Sequence, residues 1–370
     1  MIIGIPREIK PEEKRVSLTP DGVELFIRHG HQVLIEQNAG EGCGIPDGDY
    51  KAAGASVKRA VSALWKKADM IIKVKEPLSS ECRLMSENQI VFTFLHLAAN
   101  KKLTRELLQK RVVGIAYETV QLNDGSLPIL RPMSEIAGHL SAQLGSRGLE
   151  KQNGGRGILM GGVHGVSPAR VTVIGGGSAG LRAAEVASGL GGSVTILDIN
   201  KQRVRQLSGL FSRQVKVKQS TPERIESEVL QSDLVIGAVL NPGARAPKLI
   251  RKSMVKKMKK GAVIVDIAVD QGGCCETIRP TSHAEPFYLR YGVVHCGITN
   301  LPSIVPLTST AALSNESLPF ALKIADYGPF SAARHNPALL KGINVVNGMV
   351  TNRAVADALG FTCHSLSISE

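Results

Sequence analysis

Short aliphatic runs alternate with amphipathic segments along almost the whole chain, and this pattern predicts strands and helices in turn. One helix has readable ends: Thr19 is a good N-cap, Pro20 follows at the first helical position, and Gly30 is expected to stop it. Such alternation predicts parallel sheets wrapped by helices. The strands predicted in this part of the chain are Ile2–Ile5, Val33–Glu36, Met70–Lys75, Ile90–Leu95 and Val112–Tyr117.

A second series of strands and helices begins at Arg170, after a turn-rich passage and a helix expected from about Ser134. The tail from about Thr308 is predicted to be helical. Together with the length of 370 residues, the pattern predicts two α/β domains, the second starting near residue 130. The strands predicted in the second series are Val171–Ile174, Ser193–Asp198, Val215–Gln219, Leu234–Val239, Ala262–Ala268 and Gly292–Cys296.

The most specific local motif is a glycine-rich turn between a predicted strand and a predicted helix. Gly175 permits the tight turn, Gly177 lets the backbone approach a pyrophosphate, and Gly180 lets the helix pack closely on the strand. The next strand ends at Asp198, whose carboxylate suits ribose hydroxyls and repels a 2′-phosphate. NAD is therefore favoured over NADP, although Arg203 and the neighbouring Lys201 soften that preference. The alternative is a glycine-rich turn in a flavodoxin-like sheet.

Polar or mobile positions follow several strands of the second series. Open parallel sheets bind ligands outside the carboxyl ends of their strands, so these positions are expected to outline the rim of one crevice. For each position alone, an ordinary loop residue is the simpler interpretation. The positions are Ser220, Val239, Leu240, Asp270, Asn300 and Leu301.

The same rule selects three residues in the first series: Arg15 in the loop after the first strand, Lys75 and His96 at the ends of later strands. Taken singly, a solvated cation or a structural histidine is the simpler interpretation. Taken together near a nicotinamide, they fit the oxidation of an amino or hydroxy acid. Arginine binds a carboxylate bidentately, lysine polarises a carbonyl oxygen, and histidine moves protons near neutral pH. Asp270 would stabilise an iminium or orient water.

Composition excludes several classes of protein. Apolar runs are too short to span a bilayer, the amino terminus does not resemble a secretion signal, and 4% aromatic content argues against single-stranded nucleic-acid binding. The six cysteines lack zinc-type spacing, which indicates reduced thiols in a cytoplasm and no metal site.

The net charge of +13 leaves a nucleic-acid interpretation open. The most basic stretch is Arg251–Lys260, where Met254, Val255 and Met258 recur at helical spacing. The favoured interpretation is therefore a surface helix with a buried seam that ends at Gly261.

Ordered motifs along nearly the whole chain resemble one family. They are Gly4–Lys10, Arg15–Pro20, Lys73–Pro77, Leu95–Ala98, Ala116–Val120, Pro132–Gly138, Asp198, Asp270–Gly273, Pro306 and Thr308–Thr310. With these motifs the chain resembles the NAD-dependent L-alanine dehydrogenases, which share a superfamily with the NAD-binding subunit of proton-pumping transhydrogenase.

The resemblance implies an α/β protein in which a Rossmann-type, doubly wound NAD domain (129–305) is inserted into a discontinuous α/β substrate domain (1–128 plus 306–370). It implies that the chain converts L-alanine, NAD and water to pyruvate, ammonium and NADH. Arg15 and Lys75 correspond to the substrate-binding pair, His96 to the acid/base and Asp270 to the carboxylate facing the imine. Family members are usually homohexamers. The positions that correspond to cofactor contacts are Ser134, Ser178, Ala179, Asp198, Arg203, Ser220, Val239, Leu240, Ile267, Arg279, Ile298, Asn300 and Leu301.

Some positions depart from the family pattern. Leu307 stands where the family commonly has an arginine, which puts oligomer contacts or cleft geometry in doubt. Arg131, His164 and the pair Cys274-Cys275 are also unusual, the pair being most simply free thiols near the cleft. Two rival interpretations remain: a transhydrogenase-like subunit without an amino-acid substrate, and a non-catalytic protein that binds NAD or nucleic acid.

Overall fold

The chain is described from a computed structural model that covers residues 1–211, 215–239 and 246–366. It divides into two compact units. The first consists of Met1–Met133 and Val305–Glu370, and the second of Ser134–Ile304. Each unit is built around its own sheet, most of whose strands are parallel, and the predicted α/β class is confirmed.

The strands follow the aliphatic runs of the sequence closely. They are β1 (Ile2–Ile5), β2 (Gln32–Glu36), β3 (Ser56–Lys58), β4 (Met70–Ile72), β5 (Ile90–Thr93), β6 (Val113–Ala116), β7 (Arg170–Ile174), β8 (Ser193–Asp198), β9 (Val215–Gln219), β10 (Leu234–Gly237), β11 (Val263–Asp266), β12 (Tyr288–Arg290), β13 (Val293–Cys296), β14 (Ile343–Val346) and β15 (Met349–Val350).

The first helix begins as predicted: Thr19 Oγ1 accepts a hydrogen bond from the Gly22 N–H, with Pro20 at the first helical position. The helices are α1 (Pro20–Arg28), α2 (Asp47–Ala52), α3 (Val61–Lys67), α4 (Ser79–Cys82), α5 (Lys101–Lys110), α6 (Arg131–Gly148), α7 (Ser178–Gly189), α8 (Lys201–Leu210), α9 (Pro222–Gln231), α10 (Lys252–Lys257), α11 (Pro306–Tyr327), α12 (Pro329–His335), α13 (Pro337–Gly342) and α14 (Arg353–Leu359).

The sheet of the first unit has the order β15-β14-β6-β5-β4-β1-β2-β3. Strands β1 to β6 run parallel, whereas β14 pairs antiparallel with β6 and with β15. One face is covered by a cluster that includes Trp65, Val91 and Leu107, all fully buried. Because both faces of a parallel sheet are covered, its central strands are almost entirely apolar, with Thr93 at the end of β5 as a buried polar residue.

The sheet of the second unit has the order β12-β13-β11-β10-β7-β8-β9, with only β12 antiparallel. The direction of strand order reverses between β7 and β10, which is where open α/β sheets bind ligands. Met254, Val255 and Met258 of the lysine-rich stretch are buried as predicted, but only the first two lie in helix α10. It ends at Lys257 rather than at Gly261, because Met258 adopts an extended conformation that carries its side chain into the core.

Two groups of predictions need correction. Several predicted strands end earlier than expected: β4 at Ile72, β5 at Thr93, β10 at Gly237 and β11 at Asp266. Four short strands were not predicted, namely β3, β12, β14 and β15, and the last two lie in the tail predicted to be helical. Strand β14 depends on pairing with β6, more than two hundred residues earlier in the chain, and local pattern does not record such a partner.

Candidate active site

Three predicted site residues of the first unit follow neighbouring strands of its sheet. Arg15 lies in the loop after β1, Lys75 follows β4, and His96 follows β5. These strands are parallel and adjacent, so their carboxyl ends lie at one edge. Residues that carry a guanidinium, an ammonium and an imidazole therefore follow three strands that end at one edge.

The Arg15 guanidinium is buried and held by its neighbour Glu13. Arg15 Nε and Nη2 donate to the two Glu13 carboxylate oxygens at 2.7 and 2.6 Å, and the Arg15 backbone N–H donates to Glu13 Oε1 at 3.0 Å. The side chains of both residues are at most 2% exposed. Nη1 lies 3.1 Å from Met133 Sδ. This bidentate pair fixes the plane of the guanidinium, the geometry that carboxylate recognition requires.

A buried ionic triad lies beside the segment that carries Lys75. Lys73 Nζ donates to Glu8 Oε2 at 3.1 Å and to Glu81 Oε1 at 2.7 Å. Glu8 Oε1 accepts from the backbone N–H groups of Val74 and Lys75 at 2.6 and 3.3 Å. Burial acts against the charge of Lys73, but its two carboxylate partners hold the Lys73 pKa above its usual value. Lys73 is therefore protonated at neutral pH.

His96 is exposed and has a left-handed backbone, with φ 49° and ψ 38°. Few residues other than glycine adopt this conformation. The Glu118 carboxylate accepts from the His96 N–H at 2.6 Å and from the Leu95 N–H at 3.2 Å. The imidazole stacks on the Phe94 ring, with 5.7 Å between centroids and 4° between planes. The ring is thus held in one orientation while remaining accessible.

Glu76 interacts electrostatically with Lys75 and His96. Its carboxylate forms an ion pair with Lys10, and Glu76 Oε2 is buried with no hydrogen-bond partner in the described part of the chain. Burial acts to raise the pKa of Glu76, but Lys10, Lys75 and His96 together hold it below its usual range. The Glu76 carboxylate is therefore ionised at neutral pH.

In the second unit, the glycine turn joins β7 to α7. Gly175 has φ +100°, and a Cβ there would lie 2.5 Å from the Ala238 carbonyl oxygen. A Cβ on Gly180 would lie 1.8 Å from the Gly175 carbonyl oxygen. Glycine is required at both positions because backbone approaches backbone.

The acidic residue at the end of β8 is tied to this turn. Asp198 Oδ2 accepts from the Gly176 N–H at 2.7 Å, and Asp198 Oδ1 accepts from the Asn200 N–H at 2.8 Å. Arg203 Nε donates to the Gly176 carbonyl oxygen at 2.7 Å. Asp198 is half-buried, so its carboxylate faces the turn and is still reachable by a ligand hydroxyl.

These residues fit a dinucleotide. Helix α7 begins at Ser178, and among the described residues no side chain caps its first N–H groups. No described atom lies within 4 Å of the Cβ position of Gly177. A helix N-terminus with free N–H groups and an open glycine in front of it suits a pyrophosphate. The Asp198 carboxylate at the end of the next strand suits the ribose.

The other predicted cofactor contacts lie mainly along the carboxyl edge of the same sheet. Ser220 follows β9, Val239 follows β10 and Ile267 follows β11. Ile298, Asn300 and Leu301 follow β13. Ser134 and Gly138 lie in α6, where a Cβ on Gly138 would come within 2.2 Å of the Ala179 carbonyl oxygen, so α6 packs on the start of α7. Arg279 is exposed and stacks on Tyr288 at 4.3 Å. Leu240 lies outside the described residues.

Asp270 is exposed in a 3₁₀ turn, Ile267–Gln271, directly after β11. Asp270 Oδ2 accepts from the Asn300 N–H at 3.3 Å. The turn is anchored by Asp266, whose oxygens accept from the N–H groups of Ala268 and Cys275 at 3.0 and 2.9 Å. Burial raises the pKa of Asp266, partly offset by these hydrogen bonds.

The unusual positions of the sequence are also located. Cys274 and Cys275 are free and fully buried, and burial raises the pKa of both thiols. Arg131 pairs with Glu316 at 2.8 Å, and Leu307 is 60% exposed at the start of α11. His164 is exposed.

Four acidic residues that the sequence did not single out contact the segments that carry predicted site residues: Glu8, Glu13, Glu118 and Asp266. Glu8 and Glu118 lie within quoted motifs, Glu13 lies two residues before Arg15, and Asp266 lies four residues before Asp270. Their nearness to these motifs could have drawn attention to them. The sequence does not show, however, to which backbone N–H groups such a carboxylate will be bonded.

The described residues contain no group of three or more His, Cys, Asp or Glu arranged to hold a metal ion. No helix in the described ranges is both long enough and apolar enough to cross a membrane.

Comparison with known proteins identifies relatives of nearly full length. The family model of the alanine dehydrogenase/PNT N-terminal domain matches residues 4–137, and that of the C-terminal domain matches residues 141–353. The chain is 53% identical over 359 residues to the alanine dehydrogenase of Methanococcus maripaludis, covering 97% of this chain and 96% of that protein. It is 53% identical over 363 residues to the alanine dehydrogenase of Staphylococcus saprophyticus, covering 98% of each.

Among solved structures, an L-alanine dehydrogenase superposes with a TM-score of 0.93 at 49% identity, covering 97% of this chain and 99% of that one. A transhydrogenase from Sinorhizobium meliloti superposes with a TM-score of 0.81 at 24% identity, covering 96% and 100%. The second similarity concerns the fold alone.

Proposed function

Since the chain belongs to the alanine dehydrogenase/PNT family, we propose that it catalyses the reversible, NAD-dependent oxidative deamination of L-alanine. L-Alanine, NAD⁺ and water yield pyruvate, ammonium, NADH and a proton. The observation that carries this proposal is the carboxyl edge of the first sheet, where Arg15, Lys75 and His96 follow adjacent parallel strands. A protein that only bound NAD would have no use for such a set.

Arg15 binds the substrate carboxylate in this proposal. Glu13 holds Nε and Nη2 of the guanidinium and so fixes its plane before the substrate binds. A guanidinium with its plane fixed in advance loses little further conformational entropy on binding. Lys75 binds the substrate oxygen, on which negative charge increases in the direction of amination.

His96 serves as the acid/base. Its exposed imidazole is oriented by Phe94 and by the Glu118-bound backbone. In this role it takes a proton from the water that adds to the imine carbon and returns one to the departing nitrogen. Asp270 stabilises the cationic imine with its carboxylate. When bound, NAD supplies the acceptor for the hydride that leaves the α-carbon of alanine.

The second unit binds the cofactor in this proposal. The N–H groups at the start of α7 receive the pyrophosphate, and Asp198 receives the ribose hydroxyls. The Asp198 carboxylate would repel a 2′-phosphate, which supports NAD rather than NADP. The buried and half-buried residues that follow β9, β10, β11 and β13 complete the contacts.

Assembly and location belong to the same proposal. The family resemblance supports a homo-oligomer, a hexamer, which a mass measurement of the native protein would test. The six cysteines are all described and all free, which supports a reducing compartment such as the cytoplasm.

NADH absorbance with L-alanine tests the function directly, with the wild type measured beside His96→Ala and Asp270→Ala. We expect turnover in the wild type, preference for NAD over NADP, and severe loss in both variants with NADH binding retained. A wild type that binds NADH but oxidises no amino acid would refute the assignment in favour of a transhydrogenase-like or non-catalytic protein. Binding to polyanions that persists in His96→Ala and is abolished by salt would indicate the nucleic-acid interpretation.

A further inference from the structure

Two glutamates that perform no step of the proposed reaction contact the backbone of two residues that do. Each carboxylate accepts hydrogen bonds from two consecutive N–H groups that begin two residues after the end of a parallel strand, and in each case the second N–H belongs to a site residue. We propose that Glu8 and Glu118 are positioning residues, Glu8 for Lys75 and Glu118 for His96. This inference rests on the proposed function, because it assigns the two side chains their roles.

Glu118 stabilises a backbone conformation that His96 would not adopt by itself. A left-handed histidine is sterically unfavourable and needs support from its surroundings. Glu118 provides it with one oxygen on the His96 N–H and the other on the Leu95 N–H. Because the left-handed turn redirects the chain immediately after β5, it determines the direction in which the imidazole leaves the sheet.

Glu8 acts on Lys75 with one oxygen. Glu8 Oε1 accepts from both Val74 N–H and Lys75 N–H, and the Thr93 hydroxyl donates to the Lys75 carbonyl oxygen at 3.0 Å. The peptide groups on both sides of Lys75 are therefore fixed. Glu8 itself is held by Lys73, whose side chain is 1% exposed.

These carboxylates do more than satisfy the N–H groups that follow a strand. Water could satisfy N–H groups at an exposed edge of a sheet. Glu8 instead places a carboxylate in the interior, where ionisation is unfavourable, together with a lysine to compensate its charge. A buried, paired carboxylate cannot drift as water can, so it maintains the position of the backbone to which it is bonded.

Glu8→Gln and Glu118→Gln test the proposal without creating cavities. In Glu8→Gln the new NH₂ group faces either the Lys73 ammonium or the N–H groups of Val74 and Lys75, depending on how the amide is turned. In both orientations a donor faces a donor, so one set of hydrogen bonds is lost. In Glu118→Gln the NH₂ group faces one of the two backbone donors. Glu81→Gln is the matched control for Glu8→Gln, because it also removes an ion pair to Lys73 but does not contact Lys75. Asp69→Asn is the second control, since Asp69 Oδ2 accepts from the Ile2 N–H at the opposite edge of the sheet.

The two variants are expected to differ in kinetics, because the side chains they position have different roles. Glu8→Gln should raise the KM for L-alanine and pyruvate about 10-fold with little change in kcat, since Lys75 binds substrate. Glu118→Gln should lower kcat about 10-fold with little change in KM, since His96 moves protons. The KM for NAD and the kinetics of both controls should stay close to wild type. Equal behaviour of Glu8→Gln and Glu81→Gln, or the same kinetic change in both test variants, would overturn the proposal.

Hydrogen–deuterium exchange provides a readout that does not depend on activity. Peptides covering residues 73–76 should exchange faster in Glu8→Gln, and those covering residues 94–97 faster in Glu118→Gln, with both controls unchanged. Unaltered exchange in both test variants would also overturn the proposal. Should the wild type fail to oxidise L-alanine, the exchange result still decides whether the glutamates hold these segments. Should Glu8→Gln not fold, Glu118→Gln carries the test.

Discussion

Gly180→Ala should weaken cofactor binding by distorting the turn between β7 and α7. The new Cβ would lie 1.8 Å from the Gly175 carbonyl oxygen, whereas ordinary contacts begin at 3.4 Å. The obstructing atom is backbone, so no side chain can move aside. Helix α7 or the glycine turn must retreat by more than about 1 Å, and overpacking of this kind costs roughly 1–3 kcal/mol of stability.

Such a retreat moves the first N–H groups of α7 away from the pyrophosphate. Loss of one hydrogen bond to a charged group, worth about 1.5–3 kcal/mol, weakens NADH binding roughly 10- to 100-fold. Fluorescence titration with NADH measures the affinity, and urea unfolding measures the stability.

Gly189→Ala is the matched control on the same helix. No described atom lies within 4 Å of its Cβ position. Alanine has the higher helix propensity, so this variant should be more stable by up to about 1 kcal/mol and bind NADH normally. The reasoning fails if Gly180→Ala binds NADH as tightly as the wild type, or if Gly189→Ala loses as much affinity.

Three further predictions concern single side chains. Asp198→Asn keeps an oxygen for the Gly176 N–H but removes the negative charge, so the ratio of kcat/KM for NADP to that for NAD should rise about 10-fold or more; an unchanged ratio would contradict the role of Asp198. Burial lowers the pKa of His295 to about 4, so between about pH 6.5 and 4 the unfolded chain binds a proton that the folded chain does not. The free energy of unfolding should therefore fall with decreasing pH by up to roughly 1.4 kcal/mol per pH unit, and by less in His295→Gln. Urea unfolding at a series of pH values measures this, and the same pH dependence in the wild type and the variant would contradict the prediction. Of the six thiols only Cys363 is more than marginally exposed, so a colorimetric thiol reagent should modify Cys363 first and the others only on unfolding; rapid reaction of Cys274 or Cys275 would show that their loop opens.

Much of the cofactor half could be predicted from the sequence because its determinants are local. A glycine turn, its flanking strand and helix, and the acidic residue after the next strand lie within thirty residues of one another. Their spacing alone encodes a phosphate-binding turn. The predicted strands Ile2–Ile5, Ser193–Asp198 and Val215–Gln219 agree with the structure for the same reason, since the pattern that predicts each strand lies in its own residues.

The sequence also selected Arg15, Lys75 and His96, because the carboxyl ends of parallel strands meet at one edge whatever the connecting segments do. It did not show what surrounds them. Glu13 is a neighbour of Arg15 in the chain, but Glu8 and Glu118 reach Lys75 and His96 across separations of 67 and 22 residues. These bonds lie just beyond β4 and β5, where one further backbone hydrogen bond at Lys73 and at Phe94 is followed by N–H groups that donate to carboxylates.

Local motifs thus largely indicate which side chains form the candidate sites, whereas tertiary structure decides how those side chains are held. Hydrophobic periodicity and turn chemistry act over a few residues, and so they can be read along the chain. A buried carboxylate chooses its partners by proximity in space. It is the folded sheet, with β14 added to β6 from the far end of the chain, that brings those partners together.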